Sequence, residues 1–171
     1  MKFVLLAAAA LIVIVGLVLL IGALLPRQHQ GTREIELNRP LREVFEVVRA
    51  FSAAPDWRHN LRRVEMLSPA EGHARFRETS KNGSVTYEVM EEVPGQKLVT
   101  RIMDRDLGYS GSWTYEFFPT QSGTRVRITE NGEVSNILFR FMSRFVFGQT
   151  STMETYLKAL GTKFGQEVTP Q

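Results

Sequence analysis

The sequence contains no cysteine. A disulfide scaffold, a thiolate zinc site and a cysteine nucleophile are therefore excluded. Histidine is nearly as scarce: His29, His59 and His73 are the three in 171 residues. A metal site needs several convergent ligands, and no spacing here supplies them, so neither a metal nor a cofactor is expected. A glycine-rich phosphate loop, a His-Glu-x-x-His pair and a Gly-x-Ser-x-Gly elbow are also missing. Charge is lacking in one place. Phe3 to Leu25 are 23 consecutive residues without a charged side chain, 21 of them apolar and the others Gly16 and Gly22.

Those 23 residues form a helix of roughly 34 Å, enough to cross a hydrocarbon core of roughly 30 Å. A cleaved signal peptide is the competing reading. Its apolar region is shorter and ends in a small-x-small site. Here the run ends Gly22-Ala23-Leu24-Leu25-Pro26, a poor cleavage site. The expectation is an uncleaved, single-pass anchor over residues 1–26, inserted through residues 3–25. Arg27, Arg33, Arg39 and Arg42 follow the run closely, which by the positive-inside rule favours a cytoplasmic domain. The very short tail with Lys2 instead has the form of a signal-anchor, and an extracytoplasmic domain is the reading adopted.

The remaining chain is ordinary in charge and rich in rings: 16 of the 17 aromatic residues lie beyond residue 25. Disorder is excluded as its main state, and its length suits one domain. After a linker over 27–31, Thr32 to Leu37 alternates, with Ile35 and Leu37 on one face. Asn38 is placed to cap a helix carrying Val44, Phe45, Val47 and Val48, with Pro40 in its first turn. A short second helix or turn covers Ala53 to Asn60. About six strands follow, separated by turn signals such as Asn82-Gly83, Pro94-Gly95 and Gln121 to Gly123. Short turns at regular spacing indicate an antiparallel meander rather than βαβ units. From Ser135 the periodicity is helical, with a kink expected at Gly148 and Met153, Tyr156, Leu157, Leu160 and Phe164 on one stripe. The order predicts an α+β domain in which a curved sheet wraps a long C-terminal helix. That arrangement leaves an apolar cavity.

Several stretches resemble a known family. They are Asn38-Arg39-Pro40-Leu41-Arg42-Glu43-Val44-Phe45, Pro55-Asp56-Trp57, Glu91-Glu92-Val93-Pro94-Gly95, Gly111-Ser112-Trp113-Thr114-Tyr115-Glu116, Thr129-Glu130-Asn131-Gly132-Glu133 and Phe139-Arg140-Phe141. In wording and order they are similar to the polyketide cyclase/dehydrase and lipid-transport group of the START-like, helix-grip superfamily. The resemblance covers residues 32–166, leaving 167–171 as a tail. It implies the helix-grip fold and a central cavity for hydrophobic ligands. Only some members of that superfamily are enzymes, so no catalytic residue is carried over.

Alternation places Trp57, Phe76, Tyr87, Val89, Trp113, Tyr115, Phe117, Phe141, Phe145 and Tyr156 on inward faces, as core and as cavity lining. Glu130 shares the face of Val126 and Ile128, where apolar surroundings would raise its pKa and suit it to acid or base work. A pairing role at the strand end is the simpler reading. Glu78 and Glu91 lie in phase with Phe76 and Tyr87 and carry the same ambiguity. Ile137 to Phe147 reads either as a helix gripped by the sheet, with Arg140 and Arg144 turned outward, or as a surface helix resting on a bilayer. The gripped helix is the favoured expectation. Net charge is +3, with 16 arginines to 5 lysines. The strand arginines alternate to the face opposite the aromatics, so no nucleic-acid partner is expected. The leading expectation is a membrane-anchored domain that binds a hydrophobic small molecule or lipid. The alternatives are a cyclase- or dehydratase-type enzyme and a non-catalytic interaction module.

Overall fold

The computed structural model describes residues 2–171. Helix α1 (Lys2–Leu24) carries apolar side chains all round, and most of them are exposed. Length and composition qualify it equally as a membrane span or a signal sequence. Strand β1 (Gln28–Leu37) follows, then α2 (Leu41–Arg49) and a 3-10 turn over Phe51–Asp56. The meander consists of β2 (Leu61–Ala70), β3 (His73–Ser80), β4 (Gly83–Val93), β5 (Lys97–Ile102), β6 (Tyr109–Pro119) and β7 (Thr124–Val134). The chain ends with α3 (Ile137–Met142), a π-helical turn over Ser143–Phe147, and α4 (Ser151–Lys163).

All seven strands form one antiparallel sheet in the order β1-β7-β6-β5-β4-β3-β2. The connection through α2 and the 3-10 turn carries the chain from one edge to the other. Three register shifts, between Leu61 and Arg63, Leu67 and Ala70, and Val89 and Glu91, help to bend the sheet. Helix α4 lies in the resulting hollow. Its Met153, Leu157 and Leu160 are fully buried, as are Leu37, Val44, Leu98, Val126 and Ile128. Phe45 of α2 meets Phe117 of β6 edge-on, ring centres 5.2 Å apart, and seals one end.

Several boundaries differ from the sequence expectation. β1 starts at Gln28, so most of the stretch read as a linker is paired with β7, from Gln28 opposite Glu133 to Gly31 opposite Glu130. Asn38 does not cap α2; its N–H donates to the Gln166 side chain, and Pro40 occupies the cap position. Asn136 does act as a cap: its Oδ1 accepts from the Phe139 N–H at 2.9 Å. The C-terminal helical stretch is not continuous. The π-helical turn and Gly148, at φ 79°, divide α3 from α4. The tail is also tied down, because Gln171 and Glu34 exchange backbone hydrogen bonds of 2.9 and 3.0 Å beside the free edge of β1.

The arginines of Ile137 to Phe147 do not both turn outward. Arg140 is buried. Its guanidinium donates to the carbonyl oxygens of Leu25 (2.9 Å), Ala23 (3.5 Å), Ser135 (3.1 Å) and Val134 (3.2 Å). Two of these carbonyls belong to the end of α1, where the last turn leaves oxygens without helical partners and favours a cation. Gly22 permits the close approach: a Cβ there would lie 2.5 Å from the Ile137 carbonyl oxygen. α1 therefore docks on α3 through its last turn.

Two substitutions test this architecture in the full chain. Leu157→Ala leaves a cavity beneath the sheet and should cost about 2–5 kcal/mol in denaturant unfolding. Arg140→Met keeps the apolar stem and removes the donors. It should cost about 2–4 kcal/mol and speed amide exchange over 134–140, with little change in α4.

Candidate functional site

The concave face is filled at one end and open at the other. Helix α4 covers the half of the sheet that holds Leu37, Val126 and Phe117. Beyond its N-terminus a cleft of about 680 Å³ lies between the sheet, the π-helical turn and the start of α4. Tyr87, Ile102, Trp113, Glu130 and Val134 line it from the strands, and Phe139, Ser143 and Phe147 from the far side. A depression of about 650 Å³ is lined by polar groups such as Gln28, Gln30, Ser112 and Asn131 and is less suited to an apolar ligand.

Of the residues expected to line a cavity, Tyr87 and Trp113 face this cleft. Trp57, Phe76, Val89, Tyr115, Phe117 and Tyr156 are buried in the core. Tyr156 joins the two groups: its ring lies 5.3 Å from Trp57, 5.5 Å from Tyr115 and 6.2 Å from Trp113. Phe76 is sandwiched between Phe51, at 4.1 Å, and Tyr87, at 5.3 Å. Phe141 is half-buried. Phe145 was expected inward but is 59% exposed. The π-helical turn shifts the phase of the helix and rotates Phe145, Val146 and Phe147 outward.

Behind the cleft lies a partly buried ion pair that sequence reasoning missed. Arg58 follows the 3-10 turn, and its two terminal nitrogens donate to the two carboxylate oxygens of Glu78 on β3. The same guanidinium sits 4.9 Å from the centre of the Tyr156 ring. Burial alone would lower the Arg58 pKa, but the Glu78 charge and hydrogen bonds outweigh it and leave the pKa raised. Burial also raises the Tyr87, Tyr115 and Tyr156 hydroxyls, against the opposing field of Arg58. All three phenols are thereby kept neutral. Glu78 is thus an inward residue held in a pair. Glu91 is exposed and bound to Lys97 at 2.8 Å, because the irregularity between Val89 and Glu91 breaks the alternation that put it in phase with Tyr87.

Glu130 reaches the cleft as its phase predicted. His29 of β1 lies beside it, with Nε2 3.7 Å from Oε1. Glu130 Oε2 is buried and has no hydrogen-bond partner among the described residues. Burial raises the Glu130 pKa, and His29 and the Trp113 indole N–H offset only part of the shift. His29 was set aside as a linker residue. The signal for it was present, since counting back in twos from Leu37 and Ile35 through Arg33 and Gly31 leads to His29 on the same face. Arg33 follows that phase and meets Glu154 of α4 at 2.9 Å. Among the described residues no cluster of three or more His, Asp or Glu is placed to hold a metal ion.

A raised carboxyl pKa favours the folded state when that carboxyl is protonated. Its stabilising contribution is therefore full below the unfolded-state value and is lost as pH rises through the folded-state value. Glu130→Gln should accordingly raise the melting temperature at pH 7. The gap from the unsubstituted chain should close below about pH 4, where the unfolded carboxyl is also protonated. Thermal unfolding across pH measures both limbs.

The pattern of the family described as polyketide cyclase/dehydrase and lipid transport matches residues 28–165. Curated proteins give no significant match to the sequence. Among solved structures, the di-domain ARO/CYC StfQ of the steffimycin biosynthetic pathway superposes with a TM-score of 0.63 at 12% identity. The alignment covers 79% of this chain and 50% of that one, so this chain spans half the length of StfQ. A START superfamily protein from Mycobacterium smegmatis gives a TM-score of 0.60 at 14% identity, covering 81% and 97%. A norcoclaurine synthase from Thalictrum flavum gives 0.63 at 11%, covering 80% and 94%. At these identities the structural likeness shows the fold. With the match over residues 28–165, the chain belongs to the polyketide cyclase/dehydrase and lipid transport family and has its START-like, helix-grip architecture.

Proposed function

We propose that this chain is a membrane-anchored protein that binds a hydrophobic small molecule or lipid in the cleft bounded by Tyr87, Trp113, Phe139 and Phe147. One observation carries the reading: the concave face stays open beside the end of α1 while its other half is packed solid. Aromatic walls suit an apolar body, and the polar tips of Tyr87, Tyr109 and Glu130 suit a polar group. The anchor function of α1 is supported by its joint with the domain. Arg140 and the Gly22–Ile137 approach build the end of α1 into the fold, which a segment destined for removal does not require.

A second reading keeps the same cleft and adds cyclase- or dehydratase-type chemistry. The specific observation in its favour is Glu130, a cleft-lining carboxyl of raised pKa whose Oε2 is buried without a hydrogen-bond partner, with His29 beside it.

Native mass spectrometry of the full chain, released from its membrane in mild detergent, tests both. A co-purifying apolar species is expected with the unsubstituted chain. It should be largely lost with Ser143→Trp, which fills the cleft from the π-helical turn. A chain that never carries such a species refutes the binding reading. If the species is altered on incubation, Glu130→Gln should stop the conversion and preserve the bound mass.

A further inference from the structure

The stretch from Ile137 to Phe147 is the most apolar exposed surface outside α1. Ile137, Leu138, Phe139, Phe145, Val146 and Phe147 are between 39% and 59% exposed. Core packing does not account for them, and their exposed parts are covered by no other element among the described residues. What lies next to them is the end of α1. Ile137 packs against Gly22, and Arg140 binds the carbonyls of Ala23 and Leu25. When α1 crosses a bilayer, its last turn lies at the boundary between hydrocarbon and head groups. A segment held in contact with that turn lies at the same depth.

We infer that Ile137–Phe147 is a second membrane element, lying in the bilayer interface with its phenylalanines among the lipid chains, and that it forms the mouth through which ligand passes between bilayer and cleft. The occupant of this apolar face is the lipid surface into which α1 inserts. This rests on the anchored-cleft reading above and goes beyond it, since an anchor alone fixes neither the orientation of the domain nor the route of the ligand.

Three features support the commitment to lipid. The face is continuous with α1, so insertion of one brings the other to the same boundary. Its charges suit an interface: the Arg140 guanidinium is enclosed by carbonyls, while Arg144 and Arg27 are exposed beside the apolar face, within reach of head-group phosphates. The face also belongs to the cleft, because Phe139 and Phe147 both line the cavity and stand exposed outside it. Phe139 stacks on Tyr109 at 5.7 Å and forms one jamb. The π-helical turn and Gly148 form the other. A ligand leaving between them would enter lipid without crossing water.

The absence of cysteine makes a direct test clean. Single variants Phe145→Cys, Leu11→Cys and Gln121→Cys of the full chain carry a nitroxide label in phospholipid nanodiscs. Collision with oxygen, which concentrates in lipid, is compared with collision with a water-soluble nickel chelate. Leu11 reports whether α1 spans. Gln121 lies in the turn at the other end of β6, roughly 35 Å along an 11-residue strand, and reports water. The oxygen-to-nickel ratio at 145 should stand several-fold above that at 121 and approach that at 11. A ratio at 145 equal to that at 121, with 11 in lipid, overturns the interfacial element and leaves the anchor standing. A label at 145 shielded from both reagents also overturns it, because protein then covers the face. Water exposure at both 11 and 145 defeats the anchored reading together with this one.

Discussion

A single buried cation organises the end of this molecule where α1 joins the domain. Moving a guanidinium out of water costs several kcal/mol unless its donors are met. Arg140 meets its donors with backbone carbonyls from three places: the end of α1, the end of β7 and the residue after it. None of these segments could move independently without leaving both a charge and several oxygens unsatisfied. The bond set therefore fixes where α1 leaves the domain. It also fixes the start of α3, whose first turn is held by the Asn136 cap. With both ends set, Phe139 can only lie between α1 and the cleft. An arginine is better suited here than a lysine, since its planar fork serves four acceptors at once.

The cleft follows from a mismatch of lengths. An 11-residue strand such as β6 extends roughly 35 Å, whereas the 13 residues of α4 extend roughly 20 Å. One helix of that length cannot cover the sheet it packs on. A helix continuous from Ile137 to Lys163 would be roughly 40 Å long and could cover it. The π-helical turn and Gly148 prevent that and swing α3 away toward α1. The uncovered region is where groups poorly suited to a dry core collect. Glu130 and the neutral phenol of Tyr87 line it, and the Arg58–Glu78 pair lies behind it against the ring of Tyr156 at the edge of the packed core.

Much of this was legible in the sequence because period-two alternation survives a solvated outer face. Ile35, Leu37, Phe76, Tyr87, Trp113, Tyr115, Phe117, Val126 and Ile128 all fall on the face their spacing assigned, and the strand count and the two helical blocks are recovered. What escaped depends on partners remote in sequence. Nothing near Arg58 in the sequence points to Glu78, and only the fold brings the two together. Arg140 read as a residue that should turn outward, because the carbonyls that bind it come from residues more than a hundred positions away as well as from its neighbours. Glu91 and Phe145 failed for another reason. A single irregularity, a strand bulge in one case and a π-helical turn in the other, reverses the phase of everything after it. Such irregularities leave little trace in composition.

The location of the cleft also constrains what can make it selective. A ligand taken from water gains roughly 0.8 kcal/mol for each methylene it buries. A ligand taken from a bilayer has already gained that, and moving it to an aromatic-lined cleft changes its apolar environment little. For an amphipathic ligand, hydrophobic burial would therefore supply little net preference. Shape and the polar contacts remain. The lining offers few of the latter: the phenols of Tyr87 and Tyr109, the Glu130 carboxyl, and His29. Glu130 is the least compensated of these: its Oε2 is buried without a partner, which favours the protonated carboxyl, and that form can donate to a ligand oxygen. On the reading proposed above, that contact is what distinguishes one apolar ligand from another.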